Sequence, residues 1–320
     1  MRRVLVLGGT AWLGREVTSR ALARGDEVTC LARGRSGQAV DGVRFVAADR
    51  TEPGAFDDLA GEFDEVVELA YHPVAVRSAL DALAARAAHW TLVSTISVYA
   101  GEAGPGADET APLVEASDDP EDYGGAKVAA EQASAAALGE RLLVVRPGLI
   151  TGPGDPSDRF GYWPARLARG GRVLTPPLTD ADVQVIDVAD LADYLTVAAA
   201  AGVTGVVQAT GESVGFDRAL AIIAEVTGFD GELVEAPASW LVDQGVGYWM
   251  GPRSLPLWLT PEASAMRQLS IERFRATGGV NRPLADVVAR VLGYERRLGL
   301  DRPRRSGLSA AEEAELLARL

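Results

Sequence analysis

Short apolar runs alternate with longer amphipathic stretches through the first half of the chain. The runs at 4–7, 27–32, 44–47, 65–69, 90–93 and 141–145 are brief and rich in aliphatic and β-branched residues, so they predict strands. Between them, apolar positions recur at helical spacing and predict helices over 13–24, 74–87 and 122–138, with a loop at 100–120. Repeated strand–helix–strand units with nearly all-apolar strands imply a doubly wound parallel sheet buried on both faces.

From about residue 151 the texture changes. Proline and glycine recur in "GPGDPSD", "TPPLTD" and "MGPRSLPLW", and helical stretches at 188–200, 216–227 and 283–299 are broken by loops. The expected organisation is a sheet domain over 1–150 and a mixed segment over 151–300. That segment adds a strand or two to the sheet and builds a smaller lobe over the cleft, with 182–195 packing back against the sheet. A helical tail follows over 301–320. In that tail Ser309 and Glu312 have the spacing of a capping box, and the basic turn "DRPRR" is expected to be a solvated surface turn.

Composition narrows the classes. Apolar residues are 48% and charged residues 24% of 320, ordinary for a globular protein. A net charge of −14 argues against an extended basic surface, so no nucleic-acid partner is expected. The single cysteine, Cys30, cannot pair within the chain. No run approaches the roughly 18–20 apolar residues of a membrane span, and the apolar run before Gly8 is too short for a secretory signal. A cytoplasmic protein with no membrane partner is expected. His72 and His89, the two histidines, show no metal-ligand spacing with Cys30, and no metal is expected.

Chemistry enters with "VLVLGGTAWLG" at 4–14. An apolar strand runs into Gly8, Gly9, Thr10, Ala11, Trp12, Leu13 and Gly14 and then into a helix, the context of a dinucleotide-binding turn. The first glycines allow a tight turn and close approach of a pyrophosphate, the helix N-terminus supplies N–H groups, and Gly14 allows close helix–strand packing. Ala11 departs from an all-glycine pattern by one methyl. The second strand ends "VTCLARGRS", offering Arg33, Arg35 and Ser36, with no carboxylate before Asp41. That favours the 2′-phosphate of NADP(H), with NAD(H) still open.

Further on, "EDYGGAK" spaces Tyr123 and Lys127 four apart on a predicted helix, so both project from one face. A lysine cation near a phenol favours the phenolate, which suits the tyrosine to pass a proton to or from a substrate oxygen. The strand segment "WTLVSTISVY" ends in hydroxyls at Ser94, Thr95, Ser97 and Tyr99, at the end of a parallel strand that faces the ligand crevice.

Taken together, the glycine turn, "STISVY" and Tyr-x-x-x-Lys resemble the short-chain dehydrogenase/reductase superfamily, specifically its extended branch, the NAD(P)-dependent epimerase/dehydratase family. The likeness covers 1–200 well and the rest loosely; "RPGLITGPGD" and "VQVIDVADLA" add to it. It implies an α/β fold, a Rossmann-type doubly wound parallel sheet with a smaller C-terminal substrate-binding lobe. It implies Tyr123 as acid–base, Lys127 as its partner and a ligand of the nicotinamide ribose, and Thr95 as the group orienting the substrate oxygen, with Ser94 and Ser97 as fallbacks. Asp49 would meet the adenine, Ala70 and Tyr71 the ribose and pyrophosphate, and Pro147 and Gly148 the nicotinamide. "GLITG" lacks the asparagine and tyrosine that sugar-nucleotide enzymes of the family use, which weakens a nucleotide-sugar substrate.

On the substrate side, His72, Ser97, Tyr162, Trp163, Arg166, Gln184 and Trp249 are the candidates, the aromatics among them equally suited to the lobe's own core. The expected activity is an NADP(H)-preferring oxidoreductase acting on a carbonyl or alcohol of a small, partly apolar substrate. An epimerase or dehydratase with transient oxidation, and a non-catalytic nucleotide-sensing or RNA-associated protein, stand as alternatives. The resemblance suggests a homodimer.

Overall fold

The computed structural model describes residues 1–101, 104–260, 263 and 268–320, and the chain forms two compact units. The first comprises Met1–Gly148, Val188–Thr210 and Ser270–Val280; the second comprises Leu149–Asp187, Gly211–Leu269 and Asn281–Leu320. The division therefore cuts across the boundary read at residue 150, because two later segments return to the first unit.

Unit one is built on seven strands: β1 (Arg3–Leu7), β2 (Glu27–Ala32), β3 (Arg44–Ala47), β4 (Glu65–Glu68), β5 (Trp90–Val93), β6 (Leu142–Pro147) and, returning late, β10 (Gly205–Ala209). They form one sheet in the order β10-β6-β5-β4-β1-β2-β3, every pair parallel. This is a Rossmann-type doubly wound sheet. Strand order reverses between β1 and β4, where carboxyl ends open a crevice.

Helices cover it. α1 (Trp12–Ala23) buries Gly14, Val17, Thr18 and Ala21, one helical face at i, i+3, i+4 and i+7, and packs against α5 (Val188–Ala200). α2 (Pro73–Leu83) packs against α3 (Tyr123–Leu138), and a short α8 (Glu272–Ala276) lies on β10. Asp122 caps α3 by accepting from Gly125 N at 3.1 Å. Leu5, Leu7, Leu31, Val66, Trp90 and Leu92 form the core between these layers.

Unit two holds short strands that the periodicity does not announce. β7 (Leu149–Thr151), β9 (Asp182–Asp187) and β11 (Ser213–Gly215) form one small sheet; β8 (Arg172–Thr175) pairs with β12 (Glu232–Glu235), and β13 (Gly247–Trp249) with β14 (Ser254–Pro256). Its helices are α4 (Arg159–Ala168), α6 (Phe216–Thr227), α7 (Ala238–Asp243), α9 (Leu284–Leu298) and α10 (Ala310–Leu317). α4, α6 and α9 pack on one another around Phe160, Trp163, Phe216 and Val288. The capping box forms at α10: Ser309 Oγ accepts from Glu312 N, and the Glu312 carboxylate accepts from Ser309 N at 2.8 Å.

Among the described residues, no helix is long and apolar enough to cross a membrane. No group of three or more His, Cys, Asp or Glu among them is placed to hold a metal ion.

Candidate active site

The glycine turn shows why each glycine stands where it does. Gly8 has φ +100°, a region that side chains disfavour, and donates its N–H to Leu31 O at 2.9 Å. A Cβ on Gly14 would lie 2.4 Å from Gly8 O and 2.8 Å from Gly9 Cα, so α1 approaches the turn as closely as backbone allows. Ala11 is the exposed N-cap of α1, with extended backbone, and donates to Gly8 O at 3.2 Å. Its methyl obstructs nothing in the turn. The Ala11 N-cap makes no side-chain cap and no acidic residue sits in the first turn of α1, which suits its positive end to an anion.

Around this turn lies a cleft of about 520 Å³. It brings together Gly8, Thr10, Ala11, Arg33, Arg35, Ser36, Asp49, Ala70, Tyr71 and His72, ten residues singled out from the sequence. Gly9, Trp12, Leu13 and Gly14 shape the turn and are not on its wall. Asp49 Oδ1 accepts from Thr51 N at 3.1 Å and Thr51 Oγ1 at 2.8 Å, and these bonds, with Arg33 Nη1 3.8 Å from Oδ2, hold its carboxyl below the usual range. The cleft also has walls that sequence reasoning missed. Arg50, Thr51 and Leu69 line it, and Arg50 Nη1 donates at 2.5 Å to Glu68, a fully buried carboxylate at the end of β4. Glu68 also accepts from Ala70 N at 2.7 Å, so one side chain fixes both the arginine and the loop after β4. These residues suit a dinucleotide: close-approach glycines and an uncapped helix for a pyrophosphate, three arginines and a fixed carboxylate for an adenosine end.

Tyr123 opens α3, and Lys127 follows one turn later. The tyrosine is half-exposed and meets Tyr71 edge to face, ring centroids 5.3 Å apart. Lys127 is buried at 3% exposure and donates to Val93 O at 2.6 Å and Ala70 O at 3.1 Å, the carboxyl ends of β5 and β4. Burial lowers its pKa from 10.5 to about 8, against the opposing pull of Glu68 and Glu131. Lys127 is the only lysine in the chain; the other basic residues are all arginine. That single-residue count was a signal available in the sequence.

Thr95 caps the short turn after β5, accepting from Ser97 N at 3.1 Å and donating to Ser97 Oγ at 3.2 Å; Ser97 is exposed. Ser94 is placed differently from the expectation of a ligand contact: its hydroxyl donates to Glu131 at 2.5 Å. Glu131 also takes Arg146 through two bonds, at 3.0 and 2.7 Å, and Arg146 reaches the Tyr99 hydroxyl at 3.2 Å. Ser94 and Tyr99 thus belong to a buried network beneath the site. Gly148 packs against Thr210, which a Cβ there would approach to 2.8 Å, and buried Pro147 ends β6.

In unit two the substrate candidates become mostly structural. Trp163 is fully buried, edge to face with Phe216, its indole N–H donating to Pro256 O at 2.7 Å. Tyr162 is buried beside it in the same core. Arg166 is buried, paired with Glu313, and donates to Gly170 O at 2.9 Å. Gln184 donates to Gly211 O and Leu269 O and accepts from Leu269 N, which uses both of its donors within the protein. Trp249, partly exposed with φ +65°, lies under Arg159 at 4.9 Å. The aromatic stretch of α4 is core because its helix packs on two neighbours at once. Expected substrate roles for Trp163, Arg166 and Gln184 give way to structural ones.

Comparison with known proteins adds a family. The family model described as the NAD dependent epimerase/dehydratase family matches residues 4–209. A dTDP-6-deoxy-L-talose 4-dehydrogenase (NAD(P)(+)) from Kitasatospora kifunensis is 30% identical over 271 residues, covering 74% of this chain and 82% of that protein. Among solved structures, the UDP-glucose 4-epimerase of Thermus thermophilus in complex with NAD superposes with a TM-score of 0.66 at 20% identity, covering 92% of this chain and 99% of that one. The UDP-N-acetylglucosamine 4-epimerase of Bacillus cereus gives 0.67 at 18% identity, covering 95% and 99%.

Proposed function

Because the chain belongs to the NAD-dependent epimerase/dehydratase family, and so to the NAD(P)-dependent enzymes of the short-chain dehydrogenase/reductase superfamily, we propose that it is an oxidoreductase that prefers NADP(H) and uses Tyr123 as its acid–base. The observation that carries this reading is the pairing on α3. The chain's only lysine is buried one helical turn from a half-exposed tyrosine, at the carboxyl ends of β4 and β5. A compact ammonium beside a phenol favours the phenolate, which suits Tyr123 to give and take a proton.

A bound nicotinamide dinucleotide supplies or accepts the hydride. Gly8, Thr10 and Ala11 at the start of α1 would hold its pyrophosphate, and Arg33, Arg35 and Arg50 would face its adenosine end. In the reducing direction, the Tyr123 hydroxyl gives its proton to the substrate's carbonyl oxygen while Thr95 and Ser97 hydrogen-bond that oxygen. In the oxidising direction, the Tyr123 phenolate takes the proton back. Lys127 keeps the phenolate accessible in both. Three arginines, with no carboxylate following β2 before Asp41, support the 2′-phosphate preference.

Titration of tryptophan fluorescence with NADPH and NADH tests the cofactor reading. NADPH is expected to bind about tenfold or more tighter, a difference of one charge-assisted contact. Equal affinities would remove the preference, and no binding of either would remove the enzyme reading. Tyr123→Phe is expected to lower turnover by about 10²–10⁴-fold with NADPH affinity unchanged.

One relative favours a narrower substrate. The dTDP-6-deoxy-L-talose 4-dehydrogenase likeness supports a deoxysugar nucleotide whose C4 is the reacting carbon, oxidised as the 4-hydroxyl or reduced as the 4-ketone. Turnover on dTDP-linked 4-keto sugars, against simple ketones, decides between the two substrate classes.

A further inference from the structure

Tyr123 is the first residue of α3, and the next two are Gly124 and Gly125. Both are glycine for a packing reason. A Cβ on Gly124 would lie 2.7 Å from Ser97 O, and one on Gly125 would collide with the Asp122 carboxylate. The close seating of the helix start thus strips away the side chains that would follow the tyrosine. Its ring stays 44% exposed, so core packing does not hold it. A misplacement of about 1 Å is costly for a group that must meet a reacting atom.

The ring that meets it comes from Tyr71, edge to face, at an interplanar angle of 73°. Tyr71 stands on the short segment between β4 and α2, and its backbone is fixed on both sides. Before it, Ala70 N donates to Glu68 at 2.7 Å and Ala70 O accepts from Lys127 at 3.1 Å. After it, Pro73 opens α2, which packs on α3. The segment is therefore tied to α3 twice, by Lys127 on Ala70 and by the Tyr71 ring on Tyr123. Yet Tyr71 is itself 42% exposed, so its ring adds little to the core. It also lines the dinucleotide cleft, and so joins the cleft wall to the acid–base.

We propose that Tyr71 is a positioning residue for Tyr123, its ring holding the phenol of the acid–base in one orientation. The proposal rests on the redox reading above. Tyr71 takes no part in proton or hydride transfer, and a phenyl ring in its place does the same work. A catalytic side chain keeps its geometry when packing neighbours lock its rotamer, and an edge-to-face ring is such a neighbour.

The test compares Tyr71→Ala, Tyr71→Phe and Tyr123→Phe, alone and combined, on a dTDP-linked 4-keto sugar and on a simple ketone. NADPH is kept saturating, so that a change in cofactor affinity does not enter. Turnover is expected to fall about three- to tenfold in Tyr71→Ala and to recover to within about twofold of wild type in Tyr71→Phe. In the Tyr123→Phe background, Tyr71→Ala is expected to cost nothing further, because it acts through the phenol. A second readout needs no substrate. In the fluorotyrosine-labelled chain, the fluorine NMR line of Tyr123, assigned by its loss in Tyr123→Phe, is expected to move in Tyr71→Ala as the neighbouring ring is removed. Turnover unchanged in Tyr71→Ala, no recovery in Tyr71→Phe, an equal loss in the Tyr123→Phe background, or a fluorine line that stays in place overturns the proposal. Turnover undiminished in Tyr123→Phe alone overturns the redox reading itself, so the two failures are told apart.

Discussion

β4 buries a glutamate at each end, and the cations beside them titrate in opposite directions. At the amino end, Glu65 meets His89 Nδ1 at 2.6 Å while Val203 O meets Nε2 at 2.8 Å. Burial pushes that imidazole down, but the hydrogen bond and charge of Glu65 outweigh it, and the net shift is upward. At the carboxyl end, Glu68 is already committed to Arg50 and Ala70 N, Lys127 has main-chain carbonyls as its direct partners among the described residues, and burial takes its pKa down to about 8. One end satisfies its cation and gains stability; the other leaves a cation under-compensated beside the candidate acid–base. Strain of the second kind is what functional sites carry.

The largest effect follows from removing that cation. Lys127→Met is expected to lower turnover by about 10²–10³-fold, since Tyr123 loses the charge that favours its phenolate. Stability should move the other way. A lysine held at about 8 instead of 10.5 costs the fold on the order of 3 kcal/mol while it is charged. Below pH 8 both folded and unfolded chains bind the proton and the whole cost is present. Between 8 and 10.5 the folded chain has released it while the unfolded chain keeps it, so wild-type stability rises with pH. The variant should therefore be more stable than wild type in urea at pH 7, by an amount that shrinks towards pH 10.5. A variant less stable at pH 7 would show that Lys127 is a structural cation like His89.

At the other end, His89→Gln is expected to cost about 1–3 kcal/mol, because the buried Glu65 carboxylate keeps Arg2 at 3.6 Å but loses its nearer charged partner. The sign with pH is reversed. A raised histidine contributes fully below its unfolded pKa and loses its contribution as pH rises through the folded value. The cost measured by urea unfolding should thus be larger at pH 6 than at pH 9. A cost independent of pH would mean that the imidazole is neutral in the fold.

What the sequence makes legible follows from how local each signal is. The glycine turn and Tyr-x-x-x-Lys are complete within eleven and five residues, and helical or strand geometry turns that spacing directly into position. Arg50 and Glu68 are eighteen residues apart, on the loop after β3 and at the end of β4, and with β1 and β2 lying between those strands only the fold brings them together. Glu131 and Arg146 join in the same way through α3 and β6. In unit two, an aromatic stretch such as "RFGYWPARLA" has the same composition whether it lines a pocket or fills a core. The packing of α4 between α6 and α9 decides it, and that packing is not local.

The smallest effect is the sharpest test of the comparison. Glu68 raises the pKa of Lys127 through charge alone, without touching it, while it grips Arg50 and Ala70 N directly. Glu68→Gln keeps the shape and an acceptor oxygen but removes the charge. The lysine should then titrate below its wild-type position near 8, and NADPH affinity should weaken by only about threefold as Arg50 loosens, the size of a contact that keeps one neutral hydrogen bond. Because the chain holds a single lysine, selective lysine labelling gives one ammonium to follow by NMR through the pH range. An unchanged midpoint would mean that burial alone sets Lys127 and that Glu68 serves only Arg50. A midpoint that rises would contradict the sign of their coupling and dissolve the contrast between the two ends of β4.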